Sequence, residues 1–336
     1  MKILISDYPE ELNRNLAYEK ELFLHQLPIQ ESDIEIYPYR NESEFLEHVR
    51  DADALLTAFL PLGESVLSKC EKLKCIGINA TGYGTVDMKA AEKYNIAVCP
   101  VLEYCTSEVA EHTLALMSAL FRNLKTYMEK VEQEHIWSYQ SAGPNQRMAG
   151  KTLAVFGLGR IGRAVAKRAQ AFDMKVIGVD LYFPKEEAEK LGITLVDKEY
   201  ALKHADVITN HMNQTKENEL YFSWTEFEKM KQRPFFLNVG RGSAVSEEAL
   251  VHALDTGKIR GAALDVLKSE APELEGNPLL GRENVILTPH AAFYSETSMQ
   301  ELQRITCENI IFFFQGEYEK IQFLANPTVL ERVMEK

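Results

Sequence analysis

The chain has 336 residues, enough for two domains of ordinary size that each bury a hydrophobic core. Hydrophobic residues make up 46% of it and charged residues 26%, as in an average globular protein. The 37 Lys and Arg residues are outnumbered by 50 Asp and Glu residues, and the formal net charge of −13 argues against nucleic acid or an anionic membrane as a partner.

The five cysteines are odd in number and match no zinc or redox spacing. No apolar run approaches the roughly 20 residues that a membrane helix needs. The first residues predict a β-strand and do not resemble a secretory signal. We therefore expect a cytoplasmic protein with reduced thiols, no metal site and no membrane partner.

In the first hundred residues, short apolar runs alternate with amphipathic stretches. This alternation is typical of a parallel sheet with helices on both faces. The expected strands are residues 2–6, 34–37, 54–58, 75–80 and 97–99. The expected helices are residues 9–25, 42–49, 64–70 and 87–94.

A second α/β set follows a helix expected at residues 107–121 and a further helix and loop within residues 122–146. Since a late helix often returns to the first domain of a two-domain α/β protein, we expect one domain at residues 105–297 and the other at residues 1–104 plus 298–336. The strands of the second set are expected at residues 153–156, 175–179, 207–209, 235–238, 262–265 and 285–287, and the final helix at residues 298–314.

The strand at residues 153–156 leads directly into the segment Gly157-Leu158-Gly159-Arg160-Ile161-Gly162, which then continues as a helix. In this dinucleotide-binding pattern Gly157 allows a tight turn, Gly159 lets a pyrophosphate approach the backbone, and Gly162 permits close packing of helix on strand. The phosphates would lie at the positive end of the helix dipole. The strand before and the helix after disfavour the alternative, a glycine turn without a ligand.

An acidic residue, Asp180, ends the next strand at the spacing from the glycines that ribose binding requires. A carboxylate there accepts hydrogen bonds from the ribose hydroxyls and repels a 2′-phosphate. Lys185 is the only basic residue nearby. The sequence therefore predicts NAD rather than NADP as the cofactor.

Three polar segments follow apolar strands, at the carboxyl edge of a parallel sheet where ligands bind; they contain Arg241, Asp265 with Glu270, and His290. Arg241 lies between Gly240 and Gly242 and can hold a carboxylate through two parallel hydrogen bonds, although an arginine there could equally be a plain surface residue. His290 follows another strand and has the chemistry of an acid–base for a substrate hydroxyl, with Glu270 as its carboxylate partner. The alternative for His290 is a capping or core residue.

Together these segments resemble the D-isomer-specific 2-hydroxyacid dehydrogenases, whose members include D-lactate dehydrogenases, phosphoglycerate dehydrogenases and bacterial proteins similar to the C-terminal-binding-protein group. The resemblance extends over nearly the whole chain. It implies a Rossmann NAD-binding domain inserted into a flavodoxin-like substrate domain, both doubly wound parallel sheets. The segments that carry it are residues 80–87, 107–113, 157–162, 238–243, 265–270, 288–290 and 325–327.

The resemblance also implies a role for each matching residue. Arg241 would bind the substrate carboxylate, His290 would be the acid–base and Glu270 its partner. The backbone around Thr81 and Gly82 would donate hydrogen bonds to the carboxylate from the other domain. Toward the cofactor, Arg160 and Ile161 would meet the pyrophosphate, Asp180 the ribose and Asp265 the nicotinamide carboxamide, with Gly157, Gly159, Gly162 and Gly240 lining the site.

The chain departs from the family at several positions. The family's His-x-Pro appears as His211-Met212-Asn213, which puts the detail of the cofactor loop in doubt. Leu267 and Lys268 replace acidic and aromatic residues. Gly84-Thr85 stands where members often carry Asp-Asn.

Aromatic residues Phe293 and Tyr294 after His290, with Phe59 and Leu60 in the first domain, favour a small or apolar substrate side chain over a phosphorylated one. Phe293 and Tyr294 could equally pack the domain hinge.

The function that these motifs predict is the NAD-dependent interconversion of a D-2-hydroxy acid and its 2-oxo acid. One alternative is an NAD(H)-binding regulatory or redox-sensing protein with little turnover, and another is phosphite or formate oxidation on the same scaffold. The resemblance further implies a homodimer formed through the nucleotide domain. The motifs do not distinguish one 2-hydroxy acid from another.

Overall fold

The computed structural model describes residues 1–334 and divides into two compact units. One unit consists of Met1–Tyr104 and the chain from Ser295 onward, and the other is Cys105–Tyr294. The return to the first unit falls at Ser295 instead of residue 298. The reason is that the side chain of Ser295 accepts a hydrogen bond from the amide of Ser298 and so starts the last long helix earlier.

The first unit contains a five-stranded parallel sheet in the order β2-β1-β3-β4-β5, which is the flavodoxin-like order. Every residue of β1, β3, β4 and β5 is buried, as expected for a sheet covered on both faces. The strands are β1 (Ile3–Asp7), β2 (Ile34–Pro38), β3 (Ala54–Thr57), β4 (Cys75–Ile78) and β5 (Ala97–Pro100).

The second unit contains a seven-stranded parallel sheet in the order β12-β11-β10-β9-β6-β7-β8. Counted from β6, this is the Rossmann order with one strand added beside the sixth, so the expected fold class is confirmed. Strand β8 was not expected because two residues are too few to show a pattern. The strands are β6 (Thr152–Phe156), β7 (Lys175–Val179), β8 (Thr194–Leu195), β9 (Val207–Asn210), β10 (Phe235–Asn238), β11 (Gly261–Leu264) and β12 (Val285–Leu287).

The helices cover both sheets, and most lie where the sequence predicts them. The prediction of a helix at residues 9–25 is wrong in its first half, where the chain forms turns. The helix starts after Asn15, because the Asn15 side chain accepts a hydrogen bond from the amide of Tyr18. The helices are α1 (Leu16–Gln26), α2 (Glu42–Val49), α3 (Glu64–Leu67), α4 (Met88–Lys93), α5 (Thr106–Phe121), α6 (Leu124–Glu132), α7 (Arg160–Ala171), α8 (Lys185–Lys190), α9 (Lys198–His204), α10 (Trp224–Lys229), α11 (Glu247–Asp255), α12 (Glu296–Gln315) and α13 (Thr328–Met334).

The parallel arrangement places the segments that follow β6, β9, β10, β11 and β12 at one edge of the second sheet. Helix α5 packs against α7 and against three of these strands. Within residues 1–334, no helix has both the length and the apolar character needed to span a membrane.

Candidate active site

The turn after β6 has the geometry of a nucleotide cradle. Gly157 has φ +88°, a left-handed conformation that favours glycine. A Cβ on Gly162 would lie 1.9 Å from the carbonyl oxygen of Gly157, so only glycine lets α7 pack this closely on the turn. A Cβ on Gly159 would meet nothing within 4 Å, so a ligand has open access to its backbone.

Asp180 fixes the shape of this turn. One carboxylate oxygen accepts from the amide of Leu158 at 2.7 Å. The other accepts from the amides of Tyr182 at 2.8 Å and Phe183 at 3.0 Å. The oxygen that accepts from Leu158 keeps one lone pair for a further donor such as a ribose hydroxyl.

The residues present fit a dinucleotide. Helix α7 begins at Arg160, and no side chain in the described part of the molecule caps its N-terminus, so its first amides can receive a pyrophosphate. Arg160 is exposed there and Ile161 is half-buried. A residue that the sequence did not single out, Arg163, donates to the carbonyl of Leu158 at 2.7 Å and so braces the turn.

Arg241 follows β10 on a loop that two buried asparagines hold in place. Asn238 accepts from Asn210 at 2.9 Å and donates to the carbonyl of Arg241 at 3.0 Å. Asn210 was missed from the sequence because its partner lies on another strand. A Cβ on Gly240 would lie 3.1 Å from backbone and side-chain atoms of Asn210, so this glycine permits a close approach of the two strand ends.

The Arg241 side chain itself is exposed, and its Nη1 donates to the carbonyl of Gly240 at 2.9 Å. Within residues 1–334 the guanidinium has no carboxylate partner. Its remaining N–H groups can therefore serve a substrate carboxylate.

The Arg241 loop packs directly on the segment that carries Glu270. A Cβ on Gly242 would lie 1.7 Å from the carbonyl oxygen of Leu267. Glu247, at the start of α11, accepts from the amide of Lys268 at 2.7 Å. The two positions that depart from the family, Leu267 and Lys268, therefore contribute backbone contacts that hold this segment.

His290 and Glu270 come together. The imidazole Nδ1 lies 2.7 Å from the Glu270 carboxylate, although 20 residues separate them in sequence. Because an ionised carboxylate only accepts, Nδ1 carries the proton and Nε2 is left for another partner. The His290 side chain is 41% exposed, so that partner can be a substrate.

Asp265 is buried directly after β11 and holds the turn on which His290 lies. Its carboxylate accepts from the amides of Ala291 at 2.9 Å and Ala292 at 3.1 Å. Its backbone carbonyl accepts from the amide of His290 at 2.7 Å. The sequence did not reveal this function of Asp265.

Thr81 and Gly82 belong to the first unit, whereas the residues described so far belong to the second. Both follow β4 at its carboxyl end and are exposed, and a Cβ on Gly82 would meet nothing within 4 Å. Their backbone groups are accessible to a ligand. Leu60, expected near the substrate, is instead 1% exposed within the core of the first unit, while Phe59 beside it is 47% exposed.

Fold and site together define a dinucleotide-binding protein with an imidazole–carboxylate pair at the carboxyl edge of the same sheet. A model of the family "D-isomer specific 2-hydroxyacid dehydrogenase, NAD binding domain" matches residues 114–292. The chain is 38% identical over 287 residues to D-3-phosphoglycerate dehydrogenase of Methanocaldococcus jannaschii, covering 85% of this chain and 54% of that protein. It is 33% identical over 285 residues to glycerate dehydrogenase of Methylorubrum extorquens, covering 83% of this chain and 88% of that protein.

A solved structure of similar fold is D-lactate dehydrogenase from Aquifex aeolicus, complexed with NAD and lactic acid. It is 28% identical with a TM-score of 0.79, and the match covers 96% of this chain and 98% of that one. The chain spans about half the length of the phosphoglycerate dehydrogenases that it matches.

This chain belongs to the D-isomer specific 2-hydroxyacid dehydrogenase family. The resemblance drawn from the motifs is thereby confirmed. Because the matching family model is that of the NAD-binding domain, NAD is the cofactor. When bound, NAD would supply the transfer of hydride to or from a substrate carbon.

Proposed function

We propose that this protein interconverts a D-2-hydroxy acid and its 2-oxo acid with NAD, using His290 and Glu270 as the acid–base couple and Arg241 to bind the carboxylate. The observation that carries this proposal is the 2.7 Å hydrogen bond between His290 Nδ1 and Glu270. A carboxylate in that position holds the proton on Nδ1 and keeps Nε2 facing outward.

In the direction of reduction, the Arg241 guanidinium binds the substrate carboxylate and polarises the neighbouring keto oxygen. Protonated His290 donates its Nε2 proton to the oxygen as negative charge develops there. Glu270 keeps the ring in the orientation and tautomer that this transfer needs. In the direction of oxidation, neutral His290 accepts the hydroxyl proton at the same nitrogen.

We assign substrate binding to the first unit as well, through the backbone of Thr81 and Gly82 after β4. An uncharged, small or apolar substrate side chain is favoured because residues 58–63 and 79–88 contain no lysine or arginine. A phosphate group would need such a cation. The exposed Phe59 beside these segments fits an apolar group.

The test is an assay of purified protein with NADH or NADPH and a panel of 2-oxo acids, with phosphohydroxypyruvate as the phosphorylated member. We expect turnover with NADH and a higher kcat/KM for unphosphorylated acids. The variants His290→Ala and Arg241→Ala should each lose about a hundredfold or more in kcat/KM. The control His204→Ala changes an exposed histidine at the end of α9 and should leave the rate unchanged.

Normal turnover by His290→Ala would remove the proposed mechanism. Tight NADH binding without turnover on any acid would favour the regulatory alternative.

We also propose a homodimer. The dimer is supported by several exposed apolar side chains on α6 and the segment after it.

A further inference from the structure

We infer that His112 is a positioning residue for His290 and that it acts through Thr288 and Asp265. The inference deepens the proposed function and rests on the acid–base role of His290. His112 lies on α5 and touches neither Glu270 nor Arg241 in any described contact.

Three side chains form a directed chain of hydrogen bonds. The hydroxyl of Thr288 lies 2.5 Å from Oδ1 of Asp265, and Nε2 of His112 lies 3.0 Å from the same hydroxyl. A hydroxyl has one hydrogen, and the carboxylate, which already accepts from two amides, can only accept it. Nε2 of His112 must therefore carry a proton and donate to Thr288.

The chain of hydrogen bonds ends on the His290 turn. Asp265 accepts from the amides of Ala291 and Ala292 through its side chain and from His290 through its backbone. His290 has φ +51°, a left-handed conformation that costs a non-glycine residue free energy. Such a backbone conformation persists only where neighbouring groups hold it in place. The hydrogen bonds to Asp265 hold the backbone of His290 in this way.

His112 is placed to fix Asp265 in turn. Nε2 lies 3.5 Å from Oδ1 of Asp265, and the Asp265 side chain is 1% exposed against 24% for His112. Removing the imidazole leaves the Thr288 oxygen without its donor beside a buried carboxylate. We expect the Thr288 side chain to rotate and find another partner, which loosens the turn. The His290 side chain is then displaced from the position in which it transfers the proton.

The experiment compares His112→Phe, which removes the donor, with His112→Gln, whose amide nitrogen can reach the place of Nε2. In the proposed reaction, His112→Phe should lower kcat about tenfold, because a displaced acid–base slows only the steps that use it. The dissociation constant of NADH should change much less than kcat, because the glycine turn and Asp180 are untouched and only the carboxamide contact expected of Asp265 lies near the change. His112→Gln should restore most of kcat.

A second readout does not depend on turnover. Hydrogen exchange of the amides at residues 290–292 should be faster in His112→Phe than in the unchanged protein, and slower again in His112→Gln. Exchange in α7 should be equal in all three proteins, which separates a local effect from general loss of stability.

The inference is overturned if His112→Phe keeps full kcat and unchanged exchange at 290–292, or if His112→Gln behaves like His112→Phe in both measurements. It is also overturned if His112→Phe weakens NADH binding and leaves kcat alone, because the network would then serve the cofactor. Failure of the proposed function is seen separately, as absent 2-oxo acid turnover in the unchanged protein or full activity in His290→Ala.

Discussion

At the scale of single residues, His211 shows how burial sets a protonation state. Its Nε2 lies 2.9 Å from the Thr209 hydroxyl, and its Nδ1 is buried without a hydrogen-bond partner among residues 1–334. Burial lowers the pKa of the imidazole to about 3, so the ring is neutral in the folded protein. The position belongs to the segment where the family's proline is missing, and its backbone packs on Gly157.

This buried imidazole predicts a pH-dependent stability. In the unfolded chain the ring titrates near its ordinary pKa of 6.5, so below that pH the unfolded state binds a proton that the folded state does not. The free energy of unfolding should therefore fall as the pH drops from about 6.5 toward 3, by up to about 1.4 kcal/mol per pH unit from this group. His211→Gln should lose that component, as measured by urea unfolding at about pH 7.5 and about pH 5.

The control for this measurement is His204→Gln, since His204 is exposed at the end of α9. It should follow the unchanged protein at both pH values. Parallel pH dependence in His211→Gln and the unchanged protein would show that His211 is free to take up a proton in the folded state.

At the scale of elements, the unit formed by β6, the glycine turn and α7 explains what a sequence can predict. Gly157, Gly159 and Gly162 lie within six residues. Gly157 is required by its positive φ and Gly162 by the nearby carbonyl of Gly157, while Gly159 leaves space for a ligand. Because these constraints act between residues that are close in sequence, the spacing of the glycines alone predicts the turn.

The same unit gives a prediction that separates ligand binding from folding. Gly159→Ala adds a methyl group into open space at φ −64°, which alanine adopts freely, so folding should be unchanged while NADH binding weakens about tenfold or more. Gly162→Ala forces a Cβ against the Gly157 carbonyl and should lose about 1–3 kcal/mol of stability as well. NADH titration and thermal unfolding measure the two effects.

A matched control is Gly63→Ala, a glycine that also precedes a helix, with φ −79° and no atom closer than 3.9 Å to a new Cβ. It should change neither measurement. Tight NADH binding by Gly159→Ala would show that the pyrophosphate does not approach this backbone.

Three other features could not be predicted from the sequence, each for a different physical reason. Strand β8 has two residues and carries no period. The turns before α1 carry helix-like spacing, but Asn15 caps the helix later than periodicity suggests. His112 has the spacing of an ordinary helix residue, and its partner Thr288 lies 176 residues away, so only the fold reveals its contact.

At the scale of the whole molecule, strands and helices alternate many times along the sequence, and this repetition predicts two α/β units. The late helix predicts that the second unit is inserted into the first. The outer surface is less predictable, since an exposed apolar residue and a buried one look alike in sequence. The structure shows a concentration of exposed apolar side chains on α6 and the following segment, namely Leu124, Met128, Val131, Ile136, Trp137 and Tyr139.

This surface predicts the state of assembly. Trp137 is 90% exposed and Tyr139 83%, yet their segment is held to α6 by a hydrogen bond of 2.7 Å from the Tyr127 hydroxyl to the Tyr139 carbonyl. Exposed apolar side chains concentrated on one surface in this way are typical of a protein–protein interface, and we expect a second copy of the chain to cover them. Light scattering should therefore give twice the chain mass of 38.2 kDa, and the double variant Trp137→Ser, Tyr139→Ser should shift the mass toward one chain.

The matched double variant Leu181→Ser, Tyr182→Ser removes an equally exposed pair, 89% and 91%, from the same unit and should leave the mass unchanged. A single-chain mass for the unchanged protein, or a dimer that survives the loss of Trp137 and Tyr139, would contradict this assignment.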